Sequence, residues 1–307
     1  MEQIAGVIVA VLAASIRAAN PLILAVLGGI YSERSGVVNI ALEGIMIISA
    51  FFAVYGSYRT GNAWMGVLIG VVAGILIALI LGVLAIQFDA NHIIAGFSIN
   101  IFAAGLVGFL MVVLFGVSGN SPSVAAFDLT PIPFLSKIPI LGPTLFNQPP
   151  LGYLVIILIA ISWWVLYHTP LGLRLRSSGE NPAAVDTAGV NVTAMRFLGV
   201  GLSGFFAGLA GAYLSLCLLN QYIEGMTVGR GFIALALVIL SGWDPIKATL
   251  MSLLFGLAQA ITYQVGQENI PPEFLYMLPY ILTIVVLALY GRRIIGPAAA
   301  GKPYHND

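Results

Sequence analysis

Ala63-Trp-Met-Gly66-Val-Leu-Ile-Gly70-Val-Val-Ala-Gly74-Ile-Leu-Ile-Ala78-Leu-Ile-Leu-Gly82-Val-Leu-Ala-Ile86 runs through residues 63–86 without one charged side chain. A helix needs about 20 predominantly apolar residues to cross a hydrocarbon layer of ~30 Å, and this stretch is long enough. Its small residues Gly66, Gly70, Gly74, Ala78 and Gly82 recur at every fourth position and so share one helix face. Small residues let helix backbones approach closely, which is how membrane helices gain packing energy where lipid supplies no hydrophobic drive. Gly204, Gly208 and Gly211 mark a second helix of the same kind. The pattern predicts an all-α, polytopic transmembrane bundle with tightly packed helices.

The rest of the 307-residue chain repeats the theme. Charged residues are 8% of it and hydrophobic residues 60%, where soluble domains carry about 25% charge. A soluble enzyme, a nucleic-acid binder and a disordered chain are excluded. Lys plus Arg equals Asp plus Glu at 12 each, so no global field recruits nucleic acid. About nine spans are expected, within a range of eight to ten: 4–29, 37–58, 63–86, 93–117, 151–168, 196–219, 228–243, 245–265 and 273–291. The shortest, 228–243, is the candidate for a re-entrant segment. Backbone groups in lipid must be satisfied internally, and no ten-residue alternation suggests a barrel, so the spans are helices. The apolar run at 4–16 mimics a signal peptide, but no Lys or Arg precedes it and hydrophobic helices follow; it reads as the first span.

Lys and Arg set the orientation. With nine spans, one side carries Arg34, Arg174, Arg176, Arg196, Lys247, Arg292, Arg293 and Lys302. The other carries Arg59, Lys137 and Arg230, and Arg17 falls inside a span. This bias puts the first side in the cytoplasm, with the N-terminus outside and the C-terminus inside. Residues 118–150 are then an external loop, holding seven of the 16 prolines and only two charges, Asp128 and Lys137. Residues 169–195 are an internal loop. The chain 1–307 reads as one transmembrane domain.

Several motifs are misleading. Gly296-Pro-Ala-Ala-Ala-Gly301-Lys302 spells most of a P-loop, but Pro303 stands where Ser or Thr should bind magnesium and too little chain follows for a helix. It reads as a flexible cytoplasmic tail. Gly199-Val-Gly201-Leu-Ser-Gly204 fits a dinucleotide fingerprint, yet lies within an apolar helix with no βαβ context. His92, His168 and His305 are scattered, and Cys217 is the single cysteine. The chain is expected to hold no catalytic constellation, no metal and no cofactor.

The internal loop is more specific. Asn181-Pro182-Ala183-Ala184-Val-Asp186-Thr-Ala-Gly189 reads as a complete short helix: Asn181 caps it, proline takes the first position and glycine follows the end. About two turns are too short to be stable alone in water, so packing must hold them, against this protein or another. Leu171-Gly-Leu-Arg174-Leu-Arg176-Ser-Ser-Gly179-Glu180 leads in. The whole run from His168 to Val190, with Ser203-Gly-Phe-Phe-Ala-Gly-Leu-Ala-Gly211, resembles the cytoplasmic loop of bacterial ABC importer permeases of the branched-chain amino acid, ribose and nucleoside family. Tyr31-Ser-Glu-Arg-Ser-Gly-Val-Val-Asn-Ile-Ala-Leu-Glu-Gly-Ile-Met46, Gly229-Arg-Gly-Phe-Ile-Ala-Leu-Ala236 and Gly242-Trp-Asp-Pro245 resemble its nucleoside or simple-sugar members.

That resemblance covers residues 20–292 and implies a division of labour. A separate ATPase pair docks on the loop, with Glu180–Gly189 as the coupling helix. A second, related permease subunit completes the pore, as a heterodimer or a homodimer. An external binding lipoprotein delivers a small polar solute across the bacterial inner membrane, and the external proline-rich loop is a candidate for its contact. The competing class is an ion-coupled secondary transporter, which needs its own intramembrane carboxylates; Glu43 is the chief one available.

Ionisable residues within spans are costly and should be paired or face a cavity. Arg17, Glu43 and Asn100 fall at similar depth by a helical rise of about 1.5 Å per residue, and Asn39 and Glu43 stand four apart. An Arg17–Glu43 pair is expected, with Asn20, Asn39 and Asn100 nearby, either fixing helix register or lining the substrate path. Asn20-Pro21 is expected to disturb the first helix. Gln259 and Tyr263 share one helix face with Thr262 beside them. They are candidates for hydrogen bonding and stacking on a nucleoside, while a tyrosine near a membrane end is also an ordinary interface anchor.

Overall fold

The computed structural model describes residues 2–138, 140–265 and 295–304, with the helical positions Met277, Ile281, Ile284, Val285 and Ala288; backbone alone is described for 2–5, 7, 137 and 263–265. The chain runs through α1 (Glu2–Arg34), α2 (Leu42–Thr60), α3 (Ala63–Gly82, prolonged by a π-helical turn at Val83–Gln87) and α4 (His92–Phe115). After α4 come a two-residue strand β1 (Thr130–Pro131), a short helix α5 (Leu141–Leu145) and β2 (Asn147–Gln148), which pairs antiparallel with β1. There follow α6 (Pro150–His168), α7 (Pro170–Glu180), α8 (Pro182–Thr187), α9 (Val192–Tyr213, prolonged by a π-helical turn at Leu214–Leu219), α10 (Arg230–Leu240) and α11 (Pro245–Val265).

Six described helical segments are long and apolar enough to cross a membrane: Ile8–Arg34, Ala63–Gln87, His92–Phe115, Pro150–His168, Val192–Leu219 and Pro245–Thr262. α2 is a further 19-residue helix, buried along most of its length. α10 has 11 residues, about 16 Å of helix, too short to cross and in keeping with a re-entrant segment. The expected span 273–291 falls almost wholly outside the described residues, and so do Arg292 and Arg293. Nine crossings are therefore not what the described residues present.

Asparagine starts three of the long helices. Asn62 accepts from Trp64 N (2.8 Å), Asn91 from Ile93 N (2.9 Å) and Asn191 from Ala194 N (2.8 Å), each satisfying a donor that has no partner within the helix. Pro21 sits inside a continuous α1, so the disturbance expected there does not interrupt the helix.

The glycine stripe works as its spacing predicts. A Cβ on Gly70 would lie 2.7 Å from Ser49 O of α2, and one on Gly74 would lie 2.9 Å from Gly204 O of α9. In return, a Cβ on Gly204 would lie 2.6 Å from Ala78 Cβ. α3 is thus seated against α2 and α9 at distances no larger side chain allows. α9 is the most buried of the six spans and α4 the least; Ile94, Ile101 and Phe109 of α4 face outward.

The expected helix over 37–58 is corrected at its start. Residues 37–41 are not helical, and α2 begins only at Leu42. This break lies deep: Ile40 O and Gly44 N both bond to Asn100, about 12 Å along α4 from His92. Non-helical backbone is tolerated at such depth only where protein satisfies its polar groups.

At one end of the bundle, residues 120–127 are tied to 216–222 by backbone bonds: Ser121 N to Tyr222 O (2.9 Å), Val124 N to Asn220 O (3.0 Å) and Phe127 N to Leu216 O (2.9 Å). Trp64 and Phe127 meet edge to face there. At the other end lie Arg34, Gly36, Gly179 and Trp243. Arg34 reaches Gly242 O at 3.3 Å and Glu180 Oε1 at 3.8 Å, and Trp243 Nε1 donates to Glu33 Oε2 at 2.6 Å.

Two expectations about the surface change. Arg230, counted among the external loop charges, is buried at 8% exposure where α10 begins. Residues 298–304 pack against the bundle, where a flexible tail was expected. Ala299 N donates to Gly179 O (2.8 Å), Gly301 N to Gly36 O (3.0 Å), Ala298 N to Glu180 Oε2 (3.2 Å) and Tyr304 OH to Asp186 Oδ2 (3.3 Å). The backbone N–H groups that would cradle a phosphate in a true P-loop are spent on this protein's own oxygens.

Candidate functional site

The break before α2 and the start of α10 meet at Glu43. Its Oε1 accepts from Thr227 Oγ1 (2.6 Å) and Gly229 N (3.0 Å), and its Oε2 accepts from Gly231 N (2.6 Å). The first N–H groups of a helix lack internal partners, and the aligned peptide dipoles favour an acid there. Glu43 therefore caps α10 from another part of the chain. Contact is close enough that a Cβ on Gly231 would lie 2.5 Å from Glu43 Cα.

Asn39 and Asn100 serve the same break. Asn39 Oδ1 accepts from Ala41 N (3.0 Å), and its Nδ2 donates to Ser203 Oγ of α9 (2.8 Å). Asn100 Nδ2 donates to Ile40 O (2.9 Å) while its Oδ1 accepts from Gly44 N (2.7 Å). Asn20 stands apart and donates to the Tyr213 hydroxyl at 2.8 Å.

The expected Arg17–Glu43 pair does not form: among the described residues the ion pair within bonding reach is Arg34–Glu180. The donors at the start of α10 occupy the Glu43 carboxylate instead. Arg17 lines a cavity of about 400 Å³ together with Ala14, Leu214, Leu218, Met226 and Arg230. Arg230 Nη1 donates to Met226 O (2.9 Å) and Thr227 O (3.3 Å), its Nη2 reaches Gln259 Oε1 at 3.4 Å, and its buried Nε has no partner. Gln259 thus meets the cavity through Arg230. Thr262 Oγ1 donates to Ala258 O within its own helix, and the Tyr263 side chain lies outside the described residues. Next in sequence to the lining residue Ile223, burial and then Glu224 push the Tyr222 hydroxyl up to about 12, so it stays neutral at ordinary pH.

Residues 169–195 carry two consecutive helices, α7 and α8, at the basic end and lead into α9. Thr169 caps α7 through Gly172 N (3.2 Å), and Asn181 caps α8 through Ala184 N (3.1 Å). Pro182 takes the first helical position and Gly189 follows with φ of +76°, as the sequence predicts. Val185 is the buried contact of α8, while Ala183, Ala184 and Thr187 face outward. Gly179 packs on the Arg34 backbone. Between α7 and α8 opens a groove of about 490 Å³ whose walls include Arg174, Arg176, Glu180 and Asn181. Arg176 also stacks over the Tyr167 ring at 5.0 Å, and Tyr167 OH donates to Asp244 Oδ2 (3.0 Å).

Sequence reasoning missed Thr227, Gly229, Arg230 and Gly231 as members of the polar centre. The signal was present: an arginine between two glycines opens an apolar segment too short to cross.

Comparisons with known proteins agree over nearly the whole chain. The family model described as "Branched-chain amino acid transport system / permease component" matches residues 11–287. The nucleoside ABC transporter permease protein NupC of Lactococcus lactis subsp. cremoris is 40% identical over 298 residues, 93% of each chain. The guanosine ABC transporter permease protein NupQ of Bacillus subtilis is 41% identical, again over 93% of each chain. A second guanosine permease protein of B. subtilis, NupP, is 27% identical over 92% of this chain and 82% of its own length.

Proposed function

From the premise that this chain belongs to the branched-chain amino acid transport system permease family, we propose that it is one transmembrane subunit of an ATP-driven importer that carries a nucleoside across a bacterial cytoplasmic membrane. The observation that carries this reading is the full-length likeness to NupC and NupQ. The chain supplies a pathway and no hydrolytic chemistry; hydrolysis belongs to a separate ATPase.

α8 is the docking element for that ATPase. It is short, capped by Asn181, buried at Val185, tied at Asp186 to Tyr304, and exposed at Ala183, Ala184 and Thr187. Arg174, Arg176 and Glu180 give its groove a charged rim, and Gly179 seats α7 on the end of α1. The basic end is cytoplasmic on this reading, and the proline-rich segment 118–150 faces outside, where a binding lipoprotein delivers the solute. Nucleotide-driven closure of the ATPases moves α7 and α8, and α1, α10 and the broken start of α2 convert that movement into opening toward the cytoplasm.

A second permease subunit completes the pore. B. subtilis carries two proteins named as guanosine permeases, and this chain is 41% identical to one and 27% to the other. That asymmetry favours a heterodimer of two diverged permeases.

Labelled-guanosine uptake tests the reading. Deleting the gene for this chain should abolish high-affinity uptake, and inactivating the partner ATPase should do the same. Uptake that survives loss of the ATPase would favour an ion-coupled carrier, and a host indifferent to the deletion would reject the proposal.

A further inference from the structure

The cavity between α1 and α9 is apolar apart from two arginines, and no acidic residue is among its described lining residues. Two guanidinium groups beside a space in the membrane region, without a carboxylate on the same wall, are expensive unless something rich in acceptors visits them. The volume, about 400 Å³, falls within the range of small-molecule sites. The wall includes Leu214, Leu218 and Leu219 of the π-helical turn that ends α9; such turns are rare and concentrate at functional sites.

Arg230 is the sharper observation. A guanidinium carries five N–H donors in a rigid fork. Its Nη1 is committed to the Met226 and Thr227 carbonyls. The opposite edge, Nε and Nη2, is poorly used: Nε is buried with no partner, and Nη2 makes one long bond of 3.4 Å to Gln259. A buried donor left unmade is costly. That edge carries two parallel donors that match two acceptors placed side by side. Nε is closed off as the side chain rests, so the edge reaches a ligand once the long Gln259 bond lets go and the guanidinium turns into the cavity that Arg230 lines.

We propose that the Nε/Nη2 edge of Arg230, with Arg17 lining the same cavity, is a transient binding site for the O6 and N7 acceptors of a 6-oxopurine nucleoside such as guanosine or inosine. This proposal rests on the nucleoside reading given above. Arginine makes its most specific base contact with this same pair of atoms. Adenosine offers an amino donor where O6 would be, so it sets donor against donor. Uridine lacks the paired acceptors. Gln259 holds the edge through one weak bond and yields it when the base arrives. The pore thus adds a preference of its own to whatever the external binding protein selects.

The test uses the complete importer in proteoliposomes, with its binding protein, and compares uptake of guanosine, inosine, adenosine and uridine at saturating concentration. Rates are normalised to assembled complex. Arg230→Lys keeps a charge and loses the fork. It should lower guanosine and inosine uptake by about tenfold or more while adenosine and uridine fall much less. Arg17→Gln should shift the ratio in the same direction. Parallel losses for all four nucleosides, or unchanged ratios, overturn the site. Should Arg230→Lys not assemble, Arg17→Gln and the cavity-filling Ala14→Phe decide: guanosine uptake per complex equal to wild type in both overturns it. Wild-type importer that moves no nucleoside sinks the functional reading itself, whereas wild type that carries guanosine beside variants of unaltered selectivity sinks this site alone.

Discussion

α8 and α10 are both short helices whose first turns need outside help, and they obtain it in opposite ways. α8 is capped by Asn181, the residue just before it, and most of its surface is exposed. α10 is capped by Glu43, which arrives from the far side of the sequence, and its start is buried. A local cap can be read from adjacent letters. A remote one cannot, because nothing near Gly229 names the acid that will satisfy it. The difference also bears on the roles proposed for them. A locally capped, exposed helix is free to meet a partner, whereas a helix capped across the bundle fixes how α2 and α10 sit together.

Glu43→Ala should break this contrast most severely. It strips three donors of their acceptor inside the membrane region, each worth roughly 1–3 kcal/mol when left unmade. The yield of folded subunit in detergent should collapse. If the variant melts like wild type, α10 does not depend on Glu43. Asn100→Ala comes next. It leaves Gly44 N and Ile40 O unsatisfied at the break, each worth roughly 1–3 kcal/mol, and a thermal melt in detergent would register the loss. Gly231→Ala forces a methyl against the Glu43 backbone and should cost about 1–3 kcal/mol by overpacking; the same melt measures it. Asn181→Ala should be the mildest for stability, about 1 kcal/mol. Its mark should appear in coupling: ATP hydrolysis by the assembled complex should respond less to loaded binding protein. A stability loss at Asn181 equal to that at Glu43 would erase the distinction between the two helices.

Hydropathy made most helices legible, since an uncharged run such as 63–86 has few ways to exist outside a membrane. The four-residue recurrence of Gly66, Gly70 and Gly74 foretold close packing, because helix geometry alone puts those residues on one face. The short helix at Pro182 was legible through its cap and stop signals. The polar centre was legible only in part. Asn39, Glu43 and Asn100 stood out as costly residues in greasy segments, and their grouping around one break follows from that cost. Their partners did not stand out. Backbone N–H groups carry no letter in a sequence, so Arg17 looked like the natural mate for Glu43 when peptide donors from α10 held that place. Arg230 was misread for a related reason: beside a loop it counts as a surface charge, and only the fold shows it turned inward. The tail from Ile295 misled because small residues and prolines look the same whether they hang free or lie along carbonyl groups.

That tail works as a clasp. Gly301 and Ala299 bind the Gly36 and Gly179 carbonyls, and Tyr304 holds Asp186 of α8. One short segment therefore touches the turn after α1, the end of α7 and the side of α8 at once, through Ala298, Ala299, Gly301 and Tyr304. Cutting the chain ahead of Ile295 would remove four ties together and loosen all three elements in one step.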